Sequence, residues 1–195
     1  MKRTLLAAFI AIVCISTSQA QVSGGAKAAL NIATTVSKDG THHADARLAP
    51  TLGGYLNINL SNGFAFQPEL LFSFQGSRWE ANGHTYTRNY VYLNVPLMLE
   101  YHVGKVFYLE AGPQLGFLAI AKFKDKSDGH VEITDQKGNM NGTVVSLNLG
   151  LGLDFNKMHF NLRHCFGLSD IYDHDYYDDP VRNSVYQLGI GYRLF

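Results

Sequence analysis

Beyond residue 20 the sequence contains no apolar run of 18 residues, a single cysteine and no excess of basic charge. The first absence excludes a membrane-spanning helix, which needs roughly 20 consecutive apolar residues. With Cys165 alone after that point, no internal disulfide holds the fold. Basic residues number 14 against 16 acidic ones over the same stretch. The electrostatic footprint of a nucleic-acid binder is therefore missing, and nucleic acid is not expected as a partner.

The first 20 residues, MKRTLLAAFIAIVCISTSQA, have a different character. Lys2 and Arg3 precede an apolar run from Leu5 to Ile15, and Ser18-Gln19-Ala20 forms a small-x-small cleavage site. This is the pattern of an export signal, and its apolar run is too short to anchor the chain across about 30 Å of hydrocarbon. Lipidation at Cys14 is excluded by Val13, which stands where a lipidation signal has a small residue. Residues 1–20 are expected as a cleaved signal peptide, and residues 21–195 as one domain.

What the rest of the chain does contain is a period of two. In SLNLGLGLDF, Leu147, Leu149, Leu151, Leu153 and Phe155 share one face, and Ser146, Asn148, Gly150, Gly152 and Asp154 the other. Such alternation predicts a strand with one apolar side. The rhythm runs through residues 22–33, 50–60, 64–75, 89–102, 106–121, 143–155, 158–168 and 183–194. Only His164 falls badly on an apolar face. Eight strands of this length can each cross a bilayer at a tilt, which takes about 9–11 residues.

The connections alternate too. Ser61-Asn62-Gly63, Gly104-Lys105 and Asn156-Lys157 are short, whereas the links at 34–48, 77–88, 122–142 and 169–182 are long and polar. Sorting of this kind belongs to an all-β, eight-stranded, antiparallel up-and-down transmembrane β-barrel with short periplasmic turns and long extracellular loops. Phe64, Phe66, Tyr101, Phe107, Phe155, Phe160, Tyr192 and Phe195 all fall near the short-turn end, where an interfacial girdle is expected. The opposite face carries Lys27, Arg163 and Arg193 against Glu69, Glu100, Glu110 and Asp154. An eight-stranded barrel is narrow enough for side chains to fill it, so these charges are expected to pair as an internal polar plug without an open pore. Glycines on that face would let the wall approach bulky lumen groups such as Tyr55 or Arg163.

The segment YVYLNVPLMLEYHVGKVFYLEAGPQLGFLAIAK, with FQPELLFSFQG before it and LRHCFGLSDIYD after it, resembles the PorT-like outer-membrane β-barrel family of Gram-negative bacteria. The resemblance runs from Val22 to Phe195 and rests on the order of Gln67-Pro68-Glu69-Leu70, Leu93-Asn94-Val95-Pro96, Gly112-Pro113-Gln114 and Gly167-Leu168. It implies an exported outer-membrane barrel whose surroundings are outer-membrane lipid and lipopolysaccharide and which the barrel-assembly machinery inserts. One departure is Phe195, which stands one step out of the outward phase held by Tyr192 and Leu194.

Nothing in the chain forms a recognisable catalytic motif. His42, His43, His84, His130 and His174 are spread over the four long links, and His102, His159 and His164 over strands, with no serine in a nucleophile motif beside them. No catalytic, cofactor-binding or metal-binding residues are therefore assigned, no cofactor is expected, and the protein is not expected to be an enzyme. Asp170, Asp173, Asp175, Asp178, Asp179 and His174 crowd the last link, but their spacing is not that of a calcium loop. The expected role is a structural or surface-interaction scaffold that could take an extracellular ligand at loops 122–142 and 169–182. Two other readings stay open at this stage. One is a soluble periplasmic lipocalin-like carrier with inward leucines, and the other an outer-membrane lipid-modifying enzyme.

Overall fold

The structure, a computed structural model, describes residues 22–37, 47–81, 84–127, 130–135, 138, 140–171 and 181–195. Residues 1–20, expected as a signal peptide, and residues 38–46 and 172–180 of two long links lie outside the described residues. Nine strands follow in order: β1 (Val22–Ser37), β2 (Arg47–Asn59), β3 (Phe64–Ala81), β4 (His84–Val103), β5 (Phe107–Ser127), β6 (His130–Asp135), β7 (Thr143–Phe155), β8 (Met158–Gly167) and β9 (Val181–Arg193). Eight of them close a barrel in the order β4-β3-β2-β1-β9-β8-β7-β5, with β4 and β5 pairing to complete the ring. Every pairing is antiparallel.

The short turns form where a left-handed residue is available. Asn62 (φ 58°) and Gly63 (φ 82°) reverse the chain between β2 and β3, Gly104 (φ 79°) between β4 and β5, and Asn156 (φ 55°) between β7 and β8. Asparagine and glycine are the residues that take this conformation most readily. All three turns lie at the end of the barrel that also holds Val22 and Phe195.

Exposure decides between a lipid-facing and an inward-facing row of leucines. Leu147, Leu149, Leu151 and Leu153 are 38–46 % exposed, whereas Asn148 between them is 0 % exposed. The same division holds on β2 and β8, where Leu52, Leu56 and Leu162 are exposed and Thr51, Tyr55 and Arg163 are buried. A lipocalin-like carrier has the reverse arrangement, so that reading is set aside.

Aromatic rings border this apolar wall at both ends. Phe64, Tyr101, Phe155, Phe160, Tyr192 and Phe195 are exposed near the short turns, and Phe72, Phe74, Phe117, Phe166 and Tyr186 form a second group towards the long connections. From Phe64 to Phe74 is ten residues. At about 3.4 Å per residue and a tilt of about 40° this spans about 26 Å, the height of an outer-membrane apolar band.

Two of the expected loops are largely strand. The link expected at 77–88 is taken up by β3, which continues to Ala81, and β4, which starts at His84. In the link expected at 122–142, β5 runs on to Ser127 and β6 folds back along it from His130. A six-residue strand whose alternation rests on two residues, Val131 and Ile133, escapes a search for sustained alternating hydrophobicity, and for that reason the eight expected strands lacked a ninth. The extended parts of β3, β4 and β5 pair in register beyond the barrel, and β6 adds to their edge.

Two sequence oddities also have a physical account. His164 does lie on the outward face, but its ring stacks on Tyr186 (centroids 4.1 Å, planes 6° apart), packs against Phe166, and places Nε2 3.0 Å from Ser184 Oγ. At the C-terminus the amides of Leu194 and Phe195 both donate to the Gly24 carbonyl, at 2.8 and 3.3 Å. Two residues opposite one is the count of a β-bulge. Phe195 is 70 % exposed despite its phase.

Candidate functional site

The inward face of the barrel is where the strands bring their polar residues together. At its centre Arg163 of β8, 1 % exposed, reaches two carboxylates on other strands. Its Nε and Nη2 donate to Glu110 at 2.9 and 2.8 Å, and Nη1 and Nη2 to Glu69 at 3.1 and 3.0 Å. Lys27 of β1 adds a third cation contact, 3.0 Å from Glu69 Oε1. Gln67 donates to Glu69 Oε1 and Asn161 to Glu110 Oε1, both at 2.9 Å, sharing these oxygens with the cations. Two cations thus meet two anions, and every carboxylate oxygen of the two anions accepts at least one hydrogen bond, as the tolerance of buried charge requires.

Towards the short turns the network continues. Asn57 donates to both Gln67 and Glu100, and Glu100 Oε2 lies 3.5 Å from His102. His102 Nδ1 is 3.7 Å from Asp154, and Asp154 also pairs with His159. The histidines that looked scattered in sequence are therefore gathered in part around one carboxylate. Their link is the β7–β8 turn, which sets Asp154 opposite His159 in register. Arg193, expected among the lumen charges, sits instead at the rim, where it donates to the Asn156 carbonyl at 2.8 Å.

Glycines create the room. A methyl group on Gly152 would lie 2.2 Å from Tyr108 Cζ, and one on Gly25 would lie 2.8 Å from the Tyr55 hydroxyl. Gly150 stands opposite Arg163 in the ladder, but the side chain it makes way for is Glu110, at 2.6 Å.

Towards the long connections the charges give way to amides and hydroxyls. Asn31 donates to Thr51 and Ser73, Gln187 to Asn31, and Asn148 to Gln114. Among these side chains a cavity of about 10 Å³ is left, room for about one water molecule. Gln75 and Gln187, whose Oε1 atoms have no partner among the described residues, line it together with the buried thiol of Cys165.

An apolar cap borders that cavity towards the long connections: Tyr90, Tyr92, Leu118, Ala121, Met140, Val144 and Ile171 form one buried cluster. Met140 and Ile171 come from the two loops expected to take a ligand, and the loops are tied together there. Asn141 N donates to the Ile171 carbonyl at 3.0 Å, and Asn141 Nδ2 to the Asp170 carbonyl at 2.9 Å. Single apolar residues inside polar loops were the only sequence signal for this cap. In the crowded acidic link Asp170 pairs with Arg182 at 3.4 Å, while Asp173, His174, Asp175, Asp178 and Asp179 lie outside the described residues.

Comparison with known proteins follows the same lines. The outer membrane protein beta-barrel domain family matches residues 17–173. The attachment invasion locus protein Ail of Yersinia pestis is similar in structure, with a TM-score of 0.57 and 14 % identity over 89 % of this chain and 99 % of Ail. Ail in complex with the heparin analogue sucrose octasulfate gives a TM-score of 0.53 and 15 % identity, over 90 % of this chain and 99 % of Ail. Neisserial surface protein A shows 10 % identity and a TM-score of 0.48 over 90 % of this chain and 99 % of its own. No curated protein sequence matches.

Proposed function

The chain belongs to the outer membrane protein beta-barrel domain family, and on that premise we propose that it is a sealed surface scaffold of the outer membrane, displaying its long connections to partners outside the cell. The observation that carries this reading is the filled lumen. Arg163, Glu69 and Glu110 bridge the barrel wall from three strands, and the cluster around Met140 and Ile171 covers one mouth. A barrel blocked at two levels has little to offer a solute, and the surface left for interaction is the projecting sheet of β3 to β6 and the loops beside it.

The finer parts of the reading follow from the same residues. Membership of the PorT-like group is supported by where its motif residues fall, since Gln67, Glu69, Asn94 and Gln114 are all buried in the lumen. Residues 1–20 act as the cleaved export signal, and residues 21–195 form the barrel. Short turns face the periplasm and long connections face outward, as in other bacterial barrels. The last strand, with Tyr192, Leu194 and Phe195 exposed at its end, is the segment offered to the barrel-assembly machinery. Catalysis is no part of the role.

The test has two arms. Purified protein in planar bilayers should show no large, stable single-channel steps, and such steps would overturn the sealed scaffold. On intact cells an epitope placed between β5 and β6, at residues 128–129, should bind antibody, and a buried epitope would reverse the orientation.

A further inference from the structure

The outward face of β5 changes character within a few residues. Leu115, Phe117 and Ile120 are 40–44 % exposed and belong to the apolar band; Lys122 is exposed and Lys124 half-buried on the same face. A β-bulge is responsible. Tyr92 pairs with Leu118 but Val91 pairs with Ile120, so Ala119 is an extra residue in β5. Unbroken alternation from the buried Leu118 would have turned both lysines inward onto the apolar cap. The extra residue instead sends Ala121 inward and the lysines out, the re-aiming that bulges perform.

Across the ladder Lys122 pairs with Asn89 and Lys124 with Thr87, each half-buried on the outward face of β4. Cross-strand neighbours of this kind stand about 5 Å apart, and same-face residues along a strand about 7 Å. Two ammonium groups, an amide and a hydroxyl thus share an area the size of a phosphate with its first contacts, and no carboxylate is among the four. On the other side of β5, Lys122 stands opposite Asp135 and Lys124 opposite Ile133, so neither residue directly opposite Lys124 is acidic.

Height selects the ligand. Lys122 and Lys124 lie two and four residues beyond Ile120, which places them about 5 and 10 Å above the apolar band at a tilt of about 40°. The headgroup layer occupies roughly 5–7 Å on each side of the hydrocarbon, so Lys122 stands within it and Lys124, just beyond, can reach back to it along its four-carbon stem. We propose that Lys122 and Lys124, with Asn89 and Thr87, bind the phosphate groups of the outer-leaflet glycolipid. Its acyl chains, lying against Leu115, Phe117 and Ile120 below, deliver the phosphate to this height at a local concentration that a soluble anion does not reach. The proposal deepens the scaffold reading and rests on its orientation, with long connections outside.

The experiment uses full-length barrel in phosphatidylcholine nanodiscs loaded with bisphosphorylated lipid A or with dephosphorylated lipid A, retained lipid being read by native mass spectrometry. Bisphosphorylated lipid A should be retained preferentially, and less so at high salt. The pair Lys122→Gln and Lys124→Gln should lower retention about 25-fold, at about five-fold per lysine near a membrane surface. Lys122→Arg with Lys124→Arg should preserve it, as should Lys105→Gln with Lys157→Gln at the opposite end. Equal retention of the two lipids, or an unchanged glutamine variant, would overturn the proposal. Retention of heparin in place of lipid A would overturn it too, in favour of a soluble polyanion. Heat-shifted gel mobility reports folding, and the single glutamine variants replace the pair if it does not fold. Epitope exposure on cells is scored separately, so loss of lipid preference with the hairpin still exposed removes this site and leaves the scaffold reading standing.

Discussion

Arg163 and Glu110 meet through two parallel hydrogen bonds, Nε to Oε1 at 2.9 Å and Nη2 to Oε2 at 2.8 Å, across the single strand β7 that separates β8 from β5. The planar guanidinium still has Nη1 free for Glu69, so one side chain ties β8 to both β3 and β5. Taking these charges out of water costs several kcal/mol per ion, and the attraction offsets it only while every partner is in place.

Arg163→Leu should therefore destabilise the barrel by about 3–5 kcal/mol, because it strands Glu69 and Glu110. Glu110→Gln in the Arg163→Leu background should recover part of that loss. Urea titration of the protein in lipid vesicles measures both, and additive losses would mean that the two residues do not interact.

Neighbouring glycines should behave in opposite ways. A methyl on Gly53 would come within 2.0 Å of the Leu70 carbonyl oxygen, whereas on Gly54 the nearest atom is the Gly25 carbonyl oxygen at 3.2 Å. Gly53→Ala is expected to cost about 3 kcal/mol, the upper range for overpacking, and Gly54→Ala under about 1 kcal/mol. The same vesicle titration distinguishes them.

Arginine substitutions should report depth in the bilayer. Leu149→Arg, near the middle of β7 and 46 % exposed on the outer wall, should cost about 2–4 kcal/mol, and Leu168→Arg, beyond the end of β8, about 0–1 kcal/mol. Equal costs at the two positions would argue against a lipid-facing wall.

The cap should control access to Cys165. A bulky membrane-impermeant maleimide should leave this buried thiol unmodified in the folded protein. Replacing both Met140 and Ile171 with glycine should raise the alkylation rate at least about ten-fold without unfolding, since the barrel wall does not depend on either residue. An unchanged rate would place the barrier elsewhere.

The strands that cross the membrane were legible because one face of each is apolar, and alternation then marks every residue as in or out. Their extensions were not: Lys122 to Ser127 has Phe123 as its one apolar residue and His130 to Asp135 only the pair Val131 and Ile133, too short an alternation to mark a strand, and pairing with a neighbour, which a single sequence does not display, is what orders them. The lumen charges could be named in advance, but Arg193 was misplaced because parity gives a face and not a depth. His159 faces Asp154 across the short β7–β8 turn, but His102 could not be joined to Asp154 from sequence, since β4 and β7 do not pair and meet only once the ring is closed. Ala119 shows the same limit: one extra residue inverts the phase of everything after it.

The seam between β1 and β9 joins the two ends of the described chain, with Gly25 beside Arg193 and Gly24 beside Phe195. Contacts so distant in sequence carry the largest loop-closure entropy and form late. Until β9 has paired with β1, the sheet keeps two open edges, each a template for pairing with a wrong strand. Folding of this protein is therefore a race between ring closure and aggregation, and the pairing of β9 with β1 decides it.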